Sequence, residues 1–313
     1  MTHSQSIASN KASARKLIIS LMLFLCVLLS VLFAENIADS VRVGMALCAS
    51  SIIPAVFPFM ILSDAIVTYM SFEKSGFLKR LFEKLFKVNG TGLTAFICGT
   101  LCGFPLGVKS AIDLYRRGSI SKDEAERLIG FANNTGPAFL IAGVGASMRG
   151  SVRDGVLLYF SLLASAVLVG MLFGIKKYKS EFFSINTEQK FDIVESIKSS
   201  AINTLYICAF IVFFSVVVGL IKNAVSYEGL LAAMLPFVEL GNAASFLSKC
   251  SLSDTASLAL TGFSAAFSGI SVHMQSLIFI KETDISTRLY FPMKLLQGVF
   301  ATILILIFEN III

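Results

Sequence analysis

The sequence predicts an all-α polytopic membrane protein containing two helix–re-entrant hairpin–helix repeats. Mean hydropathy is +0.81, with 56% of residues hydrophobic and only 15% charged. A soluble domain of this composition would expose far too much apolar surface. Several runs approach or exceed about 18 apolar residues, enough for a helix to cross a bilayer. Two further apolar runs are interrupted at mid-length by 102–110 (CGFPLGVKS) and 268–276 (SGISVHMQS), which align without a gap. A broken backbone at membrane depth must be sheltered by protein or line a cavity. A broken apolar segment in each half of a chain is the sequence sign of a transporter's binding site.

The elements follow in order. Residues 1–42 form a tail and a first helix: 17–33 is apolar, preceded by Lys11, Arg15 and Lys16 and followed by Glu35 and Asn36. No small-residue cleavage site follows it, so it is expected to be retained as a helix or signal anchor. The first repeat, 43–174, opens with a span over 43–70. Within 72–88, Phe72, Phe77, Leu78, Leu81, Phe82, Leu85 and Phe86 recur at helical spacing among lysines, as in an amphipathic helix at the membrane interface. A hairpin is expected over 92–116, with arms of about ten residues, or roughly 15 Å, half the hydrocarbon core. Spans at 126–148, interrupted near 132–138, and 155–174 complete this repeat. A polar loop occupies 175–200. The second repeat, 201–313, has spans at 201–221, 229–248 and 287–308 and a hairpin over 257–280.

Basic clusters give the orientation. Lys74 to Lys87, Arg116, Arg117, Lys122, Lys176, Lys177 and Lys179 share the N-terminal side, expected to be cytoplasmic. Glu35 and Asp39 lie opposite, with Arg149 and Arg153, which fit the rule less well. The hairpin alignment pairs Gly103 with Gly269, Pro105 with Ser271, Gly107 with His273, Lys109 with Gln275 and Ser110 with Ser276. It extends to 113–121 against 279–286. Repeats of this kind are often inverted across the membrane, yet the spans assigned here put an even number of crossings between the hairpins. Either one span is misassigned or the repeats are parallel.

The net charge of +6 sits beside apolar spans and signals no nucleic-acid partner. The six cysteines lack metal-ligand spacing and read as packing thiols. No hydrolase, kinase or metalloenzyme pattern is present, so no enzyme activity, cofactor or metal is expected. The expected partners are the lipid bilayer and a small solute.

The expected substrate residues are Gly103, Pro105, Gly107, Lys109 and Ser110 in the first hairpin, and Gly269, Ser271, His273 and Gln275 in the second. Half-helix N-termini at the tips suit an anionic group, and Gly103 and Gly107 permit close backbone approach. A lysine such as Lys109 at that depth is costly unless paired or hydrated. Asn133, Asn134 and Thr135 interrupt an apolar span ahead of Pro137 and can bond both a ligand and unwound backbone. Glu239 and Asn242, with His273, are candidates for ion or proton coupling, although Glu239 could instead pair with Lys109. Lys294 and Gln297 are weaker candidates.

Residues 102–148, PFVELGN at 236–242 and FSGISVHMQ at 267–275 together resemble the sporulation integral membrane protein family YlbJ, also called SpoVV. That family is similar to nucleoside-recognition gate-domain proteins and, more distantly, to concentrative nucleoside transporters. The resemblance implies a core of two hairpins and two unwound helices around the substrate. It also implies transport of dipicolinic acid across the outer forespore membrane of an endospore-forming bacterium. A nucleoside or other small-metabolite carrier and a non-transporting scaffold for spore assembly are the alternatives, and the likeness leaves a homo-oligomer open.

Overall fold

A computed structural model describes residues 31–69, 76–174 and 191–312, with isolated positions between 20 and 27. Most of the expected first helix and residues 175–190 of the polar loop lie outside them. Among the described residues every regular element is a helix. Four helices are long and apolar enough to cross a membrane: Val152–Phe173, Ile193–Ala224, Asp254–Ile280 and Tyr290–Glu309.

The first long helical run is assembled from α1 (Ala34–Leu47), a π-helical turn (Cys48–Ile52) and α2 (Ile53–Tyr69). It runs antiparallel to α9 (Ile193–Ala224). Gly44 packs on Ser215, the Cys48 thiol reaches the Cys208 carbonyl at 3.7 Å, and Ser196 donates to Asp64 at 2.8 Å. The start of α9 therefore takes up the end of the expected polar loop.

The short helix α3 (Phe77–Phe86) is amphipathic as its spacing requires. Phe82 and Phe86 are buried on Phe96 and Phe131, while Phe77 and Leu78 stay exposed. It stops at Lys87, whose backbone is left-handed at φ 52°.

α4 (Gly92–Ile97) continues through a π-helical turn (Cys98–Cys102) to a tip at Gly103–Pro105, and α5 (Leu106–Arg116) returns beside it. The pair is closed at its base, where Thr91 donates to the Ser119 carbonyl at 3.1 Å. Near the tip, a side chain on Gly99 would come within 2.7 Å of Gly107 Cα.

α6 (Lys122–Ala132) begins with a Ser121–Glu124 capping box, two reciprocal bonds that satisfy amides at the helix start. It breaks at 133–137 and resumes as the π-helical α7 (Ala138–Met148). The tight approach of Gly145 to Gly155 then allows α8 (Val152–Phe173) to fold back against α7.

The second half departs from expectation. The apolar run expected as one span at 229–248 is two helices, α10 (Glu228–Val238) and α11 (Leu240–Leu247), broken at Glu239. Its ends meet: the Ser251 amide donates to Glu228 at 3.1 Å, and the Ser251 hydroxyl bonds the same carboxylate. The segment expected as the second hairpin, 257–280, is α12 (Asp254–Phe267) followed by α13 (Gly269–Ile280), which barely touch each other. Together they run antiparallel to α6–α7. Arg149 bonds Ser257 at 2.8 Å, Thr135 the Ala265 carbonyl at 2.7 Å, Asn133 bonds Ser276 at 3.0 Å, and Glu126 accepts from the Ser286 amide at 2.8 Å. The last helix, α14 (Tyr290–Ile312), returns along α12, with Thr255 bonded to Glu309 at 3.1 Å.

These contacts fix two ends of the molecule. The α4–α5 base lies at the end where Tyr115 and Lys122 bond Asp284. The α10–α11 base lies at the other end, where Ser257 donates to the Leu247 carbonyl beside Arg149.

Candidate functional site

Four helix breaks meet at the centre, and each has a local cause. The α4–α5 tip turns at Gly103, held at φ 89°, and Pro105, after a cis Phe104–Pro105 peptide. The α6–α7 break follows Asn133, whose backbone is extended, and Pro137 opens α7. Pro supplies no amide and a fixed φ, so it suits the start of a helix. The α10–α11 break is an extended residue, Glu239, whose carboxylate accepts from the amides of Gly241 at 2.8 Å and Asn242 at 2.6 Å and from Asn242 Nδ2 at 2.7 Å. The α12–α13 break consists of two left-handed residues, Ser268 at φ 78° and Gly269 at φ 69°. Only one or two such residues are needed to end one helix and restart another.

The breaks pack in pairs. Gly103 lies on Gly136, where a Cβ would stand 2.9 Å from the amide nitrogen, and Gly269 lies on Val238 and Glu239, with 3.0 Å to the Val238 carbonyl. Each hairpin tip thus rests on one broken helix. Gly103 and Gly269, expected to be counterparts at two hairpin tips, occupy different roles: Gly103 is in a tip and Gly269 is in the helix supporting the other tip.

Between the tips is a cavity of about 410 Å³. Its polar wall includes Gly103, Thr135, Gly136, Glu239, Gly241 and Gln275; its apolar wall includes Phe59, Phe104 and Phe139. Gln275 Nε2 bonds Ser271 at 3.3 Å, and its Oε1 is buried without a partner. The starts of α5, α7 and α13 carry no side-chain cap, whereas Glu239 caps α11. Uncapped helix starts offer amides and partial positive charge to an anion.

Behind the cavity lies a buried polar tier. Lys294 Nζ donates to the Asn133 carbonyl at 2.7 Å and to Gln297 at 2.8 Å, while Gln297 donates to Asn134 at 2.7 Å. His273 bonds Tyr290 at 3.1 Å, and Tyr290 donates to Ser276 at 3.2 Å. His273 is therefore in this tier and not opposite Gly107, which packs against Ala132. Lys294, Gln297 and Tyr290 all come from α14; the first two were the weaker sequence candidates, and Tyr290 went unnoticed among apolar neighbours.

Lys109 is elsewhere. It pairs with Asp64 and with Asp113, the latter at 3.1 Å, and borders a second cavity of about 490 Å³ that includes Thr68, Arg117, Glu195 and Ser196. It does not line the central cavity, and Glu239 is not its partner. Ser110 bonds Ser63 at 2.9 Å nearby. Asn242 bonds Ser215 at 3.3 Å as well as Glu239. Pro105 and Gly107 shape the first tip, with Gly107 tight on the α6 end. The five cysteines among the described residues are free thiols, and no cluster there has the makings of a metal site.

No family model matches the chain, and no solved structure matches it. Among curated proteins it is similar to the sporulation integral membrane protein YlbJ of Bacillus subtilis (strain 168). The two are 24% identical over 312 residues, covering 86% of this chain and 76% of the relative. The chain is thus similar to a YlbJ protein over most of its length. With its apolar crossings, this YlbJ relative is an integral membrane protein.

Proposed function

We propose that this chain is a membrane carrier, not an enzyme, for a small organic anion, with dipicolinate first among the candidates. The observation carrying this reading is the central cavity between two helix pairs whose bases lie at opposite ends of the molecule. We read both pairs as re-entrant hairpins. Between them lie the α6–α7, α8 and α9 crossings, an odd number, so the repeats are inverted. Inverted hairpins around a midplane cavity are a design for alternating access, and the arrangement resembles the concentrative nucleoside transporter core. The base of α4–α5 carries Arg116, Arg117 and Lys122, which supports a cytoplasmic position for it.

The YlbJ relative is named for sporulation, which supports a place in the outer forespore membrane. A small flat dianion suits the volume of the cavity and the uncapped starts of α5 and α7 beside it. Lys109 then acts at the cytoplasmic vestibule and not at the tip. One observation favours a neutral solute such as a nucleoside: the charged side chain lining the cavity is Glu239. Uptake of radiolabelled dipicolinate by the purified, reconstituted protein decides between them. Dipicolinate accumulation supports this reading; a nucleoside carried in its place overturns it, and no transport of either solute favours the scaffold alternative.

A further inference from the structure

Lys294 is fully buried at the level of the α6–α7 break. Its bonds go to a main-chain carbonyl and a neutral amide, Asn133 and Gln297. Among the described residues no carboxylate pairs with it, whereas the buried Lys109 pairs with both Asp64 and Asp113. A lone buried ammonium is costly in a low-dielectric interior. The chain runs from Asn133 and Asn134, held by Lys294 and Gln297, directly to Thr135 and Gly136 in the cavity wall.

Few titratable groups face this lysine. His273 on α13 and Tyr290 on its own helix are bonded to each other. On α6, Glu126 is engaged with Ser286, and Arg127 with the Phe86 and Lys87 carbonyls near the basic end. On α8, Tyr159 is tied to the Thr100 carbonyl and Asp154 to Arg149. On α12 the acid is Asp254, at the far end beside Arg149. Glu239 stands across the cavity.

We propose that Lys294 carries the proton that couples anion movement. It is an ammonium while an anion occupies the cavity and an amine when the cavity is empty. The inference rests on the carrier reading above. An anion in the cavity attracts the ammonium across a poorly screening interior, so each favours the other's binding. The amine retains two N–H donors, so the bonds to Asn133 and Gln297 survive loss of the proton. The proton comes from water on the side where the anion enters and returns to water on the side where it leaves.

The test is calorimetric titration of the purified full-length protein with dipicolinate in two buffers of different ionisation enthalpy. The expected result is uptake of about one proton per bound anion, lost in Lys294→Gln. Binding without proton uptake, or uptake that persists in Lys294→Gln, overturns the role of Lys294 and leaves the carrier reading standing. Absence of dipicolinate binding overturns the carrier reading itself. The wild-type protein provides a test independent of the variant's folding. In proteoliposomes an inward proton gradient should raise dipicolinate uptake roughly 10-fold over a sodium gradient; equal uptake contradicts the proposal.

Discussion

Gly107 packs against Ala132 so closely that a Cβ on Gly107 would overlap the Ala132 carbonyl oxygen. This contact seats the first hairpin on the end of α6, one residue before the helix unwinds. Neither partner has a flexible side chain that could move aside. Gly107→Ala is therefore expected to displace α5 from α6 and cost about 1–3 kcal/mol of stability. Thermal unfolding in detergent checks this, with Gly76→Ala as the control, because among the described residues nothing lies within 4 Å of a Cβ there. Equal melting temperatures for the two variants contradict the packing argument.

Glu239 makes its own break tolerable by capping α11. Glu239→Ala leaves the Gly241 and Asn242 amides without their acceptor and is expected to cost about 1–2 kcal/mol. Glu239→Asp, whose shorter carboxylate can still cap, should recover part of the loss. Chemical denaturation of the three proteins gives the order wild type, Asp, Ala.

Lys109 holds two carboxylates together beside the second cavity. Lys109→Met leaves Asp64 and Asp113 facing each other without a cation, at an expected cost of about 3–5 kcal/mol. Lys109→Met combined with Asp64→Asn should be more stable than Lys109→Met alone. A double-mutant cycle on melting temperatures measures the coupling, and simple additivity contradicts it.

The sequence disclosed the membrane class, the amphipathic α3, the first hairpin and the Asn133–Pro137 break because each has a local signature. Apolar length, helical spacing of phenylalanines, and Gly and Pro at mid-run are all properties of a few adjacent residues. The second half was harder to read. Residues 229–248 are apolar for the length of a full span, and hydropathy does not register that the chain turns back at Glu239. Pro236, the evident breaker, lies inside α10 and is not the turn. One signal marked the turn: a carboxylate followed at two and three residues by Gly241 and Asn242 is a helix cap within an apolar run. The even count of crossings left a misassigned span and parallel repeats as alternatives. The likeness of 102–110 to 268–276 matched a tip to a helix break because both use glycine to reverse backbone hand. Lys294 ranked only as a weaker candidate from sequence, since its bond to the Asn133 carbonyl joins residues 161 positions apart.

The account stands on the two hairpins entering from opposite sides of the membrane. Single cysteines at Arg116 and Lys249, both exposed near the hairpin bases, in a background free of other cysteines, test this with a membrane-impermeant thiol reagent. In right-side-out vesicles only the cysteine at 249 should be labelled, and in inverted vesicles only the one at 116. Labelling of both from the same side would contradict the account.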